Sequence, residues 1–397
     1  MYRNNQNLFS VIAVLIAAGL ITGICSLFLL LANQIGGSSK VIAPSISTAD
    51  EAAVSNQNDS VATRDSDDAP NSQASPWAST VLGSHTGSVL KVNAQLLSSV
   101  NPLIASGSYD NTVKIWNPES KETLSLTQNG RVNDLTFIPA TTSAEETENV
   151  QSRRIATGSG SGEIKLWDLE TGDLTATVSG QAGRIISLAV DPDGTHIASG
   201  SSNGTIQVWP LTGNAASVRT SQVKALVTVG PQINALAFHP TDSNVLISGD
   251  HDGIIQVWNL DQDEPTLTLD GDIDRILGLA VSSDGQYVAS GSKDNLIQIW
   301  NLTTGEQVQS IEGHDFVVAS VAFSPDGQML ASGSYDESIK MWDWAQAKEL
   351  CTLNGHSGFV HTVAFTDSGS VLVSGGYDGT VRTWNLTDAK NQGCLVR

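Results

Sequence analysis

The sequence predicts an all-β chain folded as a seven-bladed β-propeller, preceded by one N-terminal transmembrane α-helix and a disordered linker. Three observations carry this expectation. Tryptophans close a recurring phrase at positions 116, 167, 209, 258, 300, 342 and 384; four of the six steps are 42 residues and the others are 51 and 49. Each period holds turn residues between short apolar or alternating runs, with room for about four strands. Gly is abundant, at 36 of 397 residues, as turn-rich all-β chains require. Repeats of this period and strand content close into a ring; they do not extend as a solenoid.

Residues 1–7 form a short polar tail. Residues 8–32 follow as LFSVIAVLIAAGLITGICSLFLLLA, without one charged side chain. A helix of this length spans ~37 Å, more than the ~30 Å hydrocarbon core of a bilayer. A secretory apolar region is normally ~7–15 residues long, so the segment reads as an uncleaved signal-anchor. Ile24 before Cys25 argues against lipoprotein processing, which favours a small residue there. Arg3 and the α-amino group lie before the segment, and no base follows it until Lys40. The positive-inside rule then places the N-terminus in the cytoplasm and the propeller on the extracytoplasmic side, as a single-pass membrane protein. Gly19 and Gly23 form a GxxxG pair, a weak signal for helix packing;.

Residues 33–76 are rich in Ser, Asn, Asp, Ala and Gln, with no apolar period. They read as a disordered linker with an r.m.s. span of ~36 Å. The remaining 77–397 form the propeller domain. Most of the formal net charge of −21 falls there. Such a surface repels phosphate, which argues against nucleic acid as a partner; otherwise the charge serves solubility.

The clearest phrase is Ser324–Asp343, SPDGQMLASGSYDESIKMWD. Ser324-Pro325-Asp326-Gly327 is a turn, since Pro presets φ, Asp bonds its own backbone and Gly accepts positive φ. Met329–Ser334 is short and apolar, as a buried strand should be. Tyr335-Asp336-Glu337 turns tightly, and Ser338–Trp342 alternates;. Polar insertions at Ala140–Gln151 and Thr212–Gln222 account for the two longer steps.

These motifs, with a Gly-His pair opening the phrase, resemble the WD-repeat family over about four-fifths of the chain. The resemblance implies a buried polar network in each blade. It maps onto His85, Ser106, Asp110 and Trp116; onto His314, Ser332, Asp336 and Trp342; and onto His356, Ser374, Asp378 and Trp384. In the second blade Gln128 and Ser161 stand in the His and Asp places beside Thr157 and Trp167. In the third, Gln181 and Asn203 accompany Ser199 and Trp209. The fourth has Ser248, Asp252 and Trp258 without His, and the fifth has Ser290, Asp294 and Trp300 with Asp272 in the His place. Every blade is thus expected to keep a hydroxyl–Trp pair. Ala78–Leu82 resembles an outer strand and is expected to complete the seventh blade, with Gly393–Arg397 competing for that place. Cys351 and Cys394 then fall at equivalent places one repeat apart, too far for a bridge.

The resemblance also implies that partners bind the face carrying the Gly-His loops, three and five residues after the histidine and just before the turn Asp. Mapped onto this chain, that face gathers Arg131, Arg184, Arg275 and Lys293 beside Tyr109, Tyr335, Phe359, His361 and Tyr377. Arg and Tyr are enriched at binding hot spots. The expectation is a non-enzymatic membrane-tethered scaffold that docks an acidic or aromatic-containing protein segment. A plain rim of solvated loops is the competing structural account. Two further functions stay open: a ligand-binding or enzymatic propeller using the central channel, and an anchor regulating a membrane partner.

Catalytic motifs are weak. Gly200-Ser201-Ser202-Asn203-Gly204 matches G-x-S-x-G but falls in a hairpin turn, without the strand-to-helix elbow that a nucleophile needs;. Asp191-Pro192-Asp193-Gly194 sits at an ordinary turn;. The three framework histidines belong to different blades and cannot share a metal. No cofactor, metal or small-molecule substrate is expected.

Overall fold

The structure, a computed structural model, describes residues 79–96, 102–139, 154–178, 183–212, 217–218, 223–227, 230–270 and 274–387. The chain divides into the units Met1–Pro70 and Asn71–Arg397, and every described residue belongs to the second. The expected signal-anchor and linker lie outside the described residues. Among the described residues no helix is long and apolar enough to cross a membrane.

Seven antiparallel sheets succeed one another along the chain, and each is a blade. Blade one is Val89–Leu96, Pro102–Ser108, Thr112–Trp116 and Thr123–Thr127. The next five cover 132–178, 185–227, 233–270, 276–311 and 318–354, and the seventh opens with 360–385. Blade three differs, because the chain after its third strand first pairs Leu211 and Thr212 with Ser217–Val218 and only then returns as the outer strand Lys224–Val227. The insertion expected at Thr212–Gln222 falls there. The first strands of neighbouring blades touch around a closed cycle, blade seven meeting blade one.

The second strands are the most buried; every residue of Leu330–Ser334 is covered. Small residues suit that place, because a neighbouring blade packs on each face. A Cβ on Gly333 would lie 2.8 Å from the Val360 side chain of blade seven. The core is a set of wedges between blades. Ile339, Met341 and Leu353 of blade six meet Val360, Val363 and Trp384 of blade seven. Val89, Ile104 and Trp116 of blade one meet Val373 and Val381 of blade seven. Full burial of each such aliphatic side chain contributes ~1.5–3 kcal/mol.

The ring closes through Thr80–Ser84, which pairs with Thr380–Asn385 and completes the seventh sheet. The N-terminal strand therefore takes the outer place. Arg382 Nη1 adds a 2.8 Å hydrogen bond to Ser79 Oγ, 303 residues away in sequence. The register shifts between Val81 and Gly83, which absorbs the extra residue Ser84 before His85.

Cys351 is disulfide-bonded. The other two cysteines, Cys25 and Cys394, lie outside the described residues.

Polar ties link the first strands of adjacent blades. Val92 N–H donates to Thr362 Oγ1 at 3.2 Å, and Val363 N–H to Ser320 Oγ at 3.1 Å. Leu188 N–H donates to Asp134 Oδ2 at 2.8 Å, and Leu236 N–H to Ser187 Oγ at 3.0 Å. Lys91 reaches Asp134 at 3.2 Å. The matching positions in blades four and five are Ala235 and Gly278, which carry no acceptor side chain. Among the described residues, blade five therefore lacks a first-strand tie of this kind on either side.

Removing residues 77–84 is expected to abolish the single cooperative melting transition, because it exposes the edge of blade seven and unlocks the ring. An unchanged transition in tryptophan fluorescence would show that another segment closes the ring.

Candidate functional site

The framework residues come first, because they position the loops of the candidate face. In blade six, Trp342 Nε1–H donates to Ser332 Oγ at 2.8 Å. Ser332 Oγ lies 2.6 Å from His314 Nε2, and His314 Nδ1 lies 2.7 Å from Asp336 Oδ2. One proton assignment satisfies every member: the indole donates to the hydroxyl, the hydroxyl to Nε2, and Nδ1–H to the carboxylate. Blades one and seven repeat it. His85 meets Ser106 at 2.7 Å and Asp110 at 3.2 Å; His356 meets Ser374 at 2.7 Å and Asp378 at 3.0 Å. A Cβ on Gly83 would strike the Trp116 ring at 2.1 Å, which is why Gly stands there.

Each framework Asp also caps its hairpin. Asp336 accepts from Ser338 N–H at 2.9 Å, Ser338 Oγ–H at 2.6 Å and Asp315 N–H at 3.2 Å. Burial opposes ionisation, yet these bonds and the adjacent histidine hold Asp336 well below the usual carboxylate range. Asp110 and Asp378 are depressed in the same way, burial again opposing. Burial lowers the His85 pKa below its ordinary value, with Asp110 opposing and Lys114 assisting. The 3.2 Å approach of His85 to Asp110 is therefore a hydrogen bond from a neutral ring more than an ion pair.

The residue after the turn Asp has positive φ. It is Gly204 in blade three, with φ 81°, but Glu337 in blade six, with φ 70°. For an L side chain other than Asn or Asp this conformation is strained.

The incomplete blades diverge. Gln128 takes the histidine place in blade two, with its amide near Thr157 O and Glu163 O, both at 3.4 Å. Asn203 accepts from Thr205 N–H at 3.3 Å in blade three, while Gln181 lies outside the described residues. In blade four the cap shifts: Asp250, not Asp252, accepts from Asp252 N–H and Ile254 N–H, at 2.9 and 3.0 Å. Asp252 is exposed.

Blade five corrects the expected pairing. Trp300 Nε1 and Asp294 Oδ2 are both buried without a hydrogen-bond partner, and Ser290 is engaged elsewhere. These are the two ends that a histidine relay connects. Asp272, in the histidine place, lies outside the described residues. The other described blades keep the hydroxyl–Trp bond, as in Trp167 to Thr157 at 2.9 Å, Trp209 to Ser199 at 3.0 Å and Trp258 to Ser248 at 2.9 Å.

A backbone bond repeated in all seven blades brings the mapped face positions together. The residue before the turn donates its N–H to the carbonyl three residues after the histidine place. The pairs are Tyr109–Ser88, Gly160–Arg131, Ser202–Arg184, His251–Gln232, Lys293–Arg275, Tyr335–Val317 and Tyr377–Phe359, all within 2.8–3.0 Å.

On this base the side chains form an arc. Tyr335 stacks on Phe359 with centroids 4.6 Å apart and planes 16° apart, and meets His361 edge-on at 5.5 Å. Phe359 meets Tyr377 at 5.9 Å. The Arg131 guanidinium lies 5.4 Å from the Tyr109 ring centroid. Tyr109 and Tyr377 are 52% and 57% exposed. Burial lowers the His361 pKa to about 4, so the ring is neutral beside the aromatics at physiological pH.

The four cations do not act alike. Lys293 pairs with Asp274 at 3.3 Å, Arg275 Nη2 donates to His251 Nε2 at 3.2 Å, and Arg184 is engaged elsewhere. Sequence mapping missed Phe316, which is 60% exposed. It lies two residues after His314, outside the three mapped places; an apolar ring in a Gly-His loop was the signal. Among the described residues no cluster of His, Cys, Asp and Glu could hold a metal ion.

A family model described as the WDR3 second beta-propeller domain matches residues 91–390. THO complex subunit 3 of Arabidopsis thaliana is 31% identical over 125 residues, which are 31% of this chain and 38% of that protein. Target of rapamycin complex subunit LST8 of Mus musculus is 24% identical over 190 residues, 47% of this chain and 53% of that protein. The periodic tryptophan protein 2 homolog of Schizosaccharomyces pombe is 27% identical over 109 residues, 28% of this chain and 12% of that protein. The chain thus spans less than two thirds of the length of each of these relatives.

Asp336→Asn is expected to cost about 1–3 kcal/mol at neutral pH, since it leaves His314 and two N–H groups poorly matched. The carboxylate is depressed in the fold, so its stabilisation is complete above the unfolded pKa of about 4 and is lost as pH falls below it. Urea midpoints measured against pH should show a shallower acid limb in the variant. Glu337→Asn is expected to raise stability by up to ~1 kcal/mol by relieving positive φ. Hydrogen exchange should be fastest in the third strand of blade five and slowest in those of blades one, six and seven; equal protection would remove the link between the relay and local stability.

Proposed function

The chain belongs to the family of the WDR3 second β-propeller domain, and from that premise we propose that it is a non-enzymatic, membrane-tethered docking module. The propeller holds a protein partner on the face of the Gly-His loops. Residues 8–32 anchor it, residues 33–76 tether it, and the propeller stands on the extracytoplasmic side.

The observation that carries the docking reading is the exposed arc Phe316, Tyr377 and Tyr109 on one face of a soluble-type fold. Large apolar side chains exposed together mark interaction sites, and rigid aromatics supply contact area at low entropic cost. The framework explains His85, His314 and His356 fully, so they need no catalytic role. Two of the relatives are by name subunits of complexes, which agrees with a role in assembly. The Cys351 disulfide supports the extracytoplasmic side, because structural disulfides persist in oxidising compartments.

Tyr109→Ala combined with Tyr377→Ala is expected to lose the partner captured from detergent-solubilised native membranes, with an unchanged melting curve. Leu174→Ser, on an outer strand away from this face, should keep it. Equal capture by both would remove the face from consideration. In sealed vesicles with the cytoplasmic face outward, external protease should spare the propeller, and Cys351 should resist maleimide until a reductant is added. Cleavage of the propeller from the cytoplasmic side would reverse the topology.

A further inference from the structure

Blades four to seven carry interactions that the framework does not require. Arg275 projects from the loop entering blade five. Its Nη2 donates to His251 Nε2 at 3.2 Å, and its Nε is buried without an acceptor. The neighbouring carboxylate, Asp274, is turned to Lys293 at 3.3 Å. The Arg275 guanidinium opposes electrostatically the rise that burial causes in the Tyr335 phenol's pKa. Beyond Tyr335 come Phe359, stacked on it, and Tyr377.

Carboxylates are plentiful in this chain, where 41 acids face 20 bases. Lys91, Lys224, Lys293 and Lys340 each find one, at 3.2, 3.5, 3.3 and 2.8 Å. Arg275 forms no ion pair among the described residues; its guanidinium acts on Asp274 only through space, and its one side-chain hydrogen-bond partner is His251. Shortage of acid cannot be the cause. A partly buried guanidinium with unused N–H groups is a strong site for a carboxylate, because its planar fork matches that anion and water competes weakly. His251 holds the fork in place without neutralising it.

We propose that Arg275 is a carboxylate-binding subsite and that the docked partner is an acidic peptide. An Asp or Glu of the peptide pairs with Arg275, and an adjacent aromatic or aliphatic side chain lies across Phe359 and Tyr377. The inference rests on the docking reading above and specifies its chemistry. The protein's own charge favours it: a strongly acidic body repels acidic segments everywhere except where a cation is left open. The face therefore selects against acidic chains that lack the apolar neighbour, as well as for those that have it.

The test uses the full chain in detergent micelles as bait for a phage-displayed random peptide library. Enriched peptides should place Asp or Glu within two positions of a large apolar residue. A representative peptide, measured by fluorescence polarisation, should lose about tenfold or more in affinity for Arg275→Ala. Changing its acid to the amide should cost the wild type a similar factor and cost Arg275→Ala almost nothing, because the two changes remove one contact. Arg275→Lys, which keeps the charge, should retain part of the affinity and controls for folding. Peptides without acids, or an amide exchange without effect while Tyr377→Ala still abolishes binding, would overturn the acidic subsite and leave the docking face standing. Peptides indifferent to both Arg275→Ala and Tyr377→Ala, or no enrichment at all, would overturn both.

Discussion

The ring depends on one pairing between strands about three hundred residues apart. Each blade buries both faces against its neighbours, so an incomplete ring exposes two apolar blade faces. Thr80–Ser84 prevents this by lying against Thr380–Asn385. Sequential blades can stack as the chain emerges, but the seventh stays a three-stranded sheet until the start of the repeat region joins it. Closing so long a loop costs entropy that grows only slowly with length. The wedge formed by Val89, Ile104 and Trp116 with Val373 and Val381 offsets it.

Within that ring the polar relay acts as a local rivet. Its complete copies lie in blades one, six and seven, the three consecutive blades around the closure. Its least satisfied copy lies in blade five, which also lacks side-chain ties from Ala235 and Gly278. Strength is therefore distributed unevenly: the seam that must hold is fully bonded, and blade five is left with orphaned polar atoms at Asp294 and Trp300. A half-satisfied buried network costs stability, and here that cost falls outside the three blades around the closure.

The same backbone repeat that builds the framework also sets the candidate face. Seven equivalent bonds from the turn to the preceding loop hold fourteen positions around one rim. Because the backbone is fixed by the repeat, the side chains there are free to differ. Blades six, seven and one present Phe316, Tyr335, Phe359, Tyr377 and Tyr109, while blades two and five present Arg131 and Arg275. An apolar arc flanked by cations on an acidic body has both a desolvating surface and a charge preference, the two ingredients of selective docking.

The sequence by itself determined the number of blades, the strands of each and the framework residues. Those features follow from local rules repeated seven times: a turn that Pro, Asp and Gly enforce, a buried strand of small residues, and an indole at a constant spacing. It also determined which positions lie on the rim, since these count from the same phrase. Only the tertiary structure decided which of those positions interact. Tyr335 stacks on Phe359 across a blade boundary, Asp250 displaces Asp252 as a cap, and Trp300 loses its expected partner. The same holds for the cations: spacing treats Arg131, Arg184, Arg275 and Lys293 alike, yet Lys293 is paired and Arg275 is not. The physical reason is that pairing depends on distances between neighbouring blades, which a repeat measured along the chain does not contain.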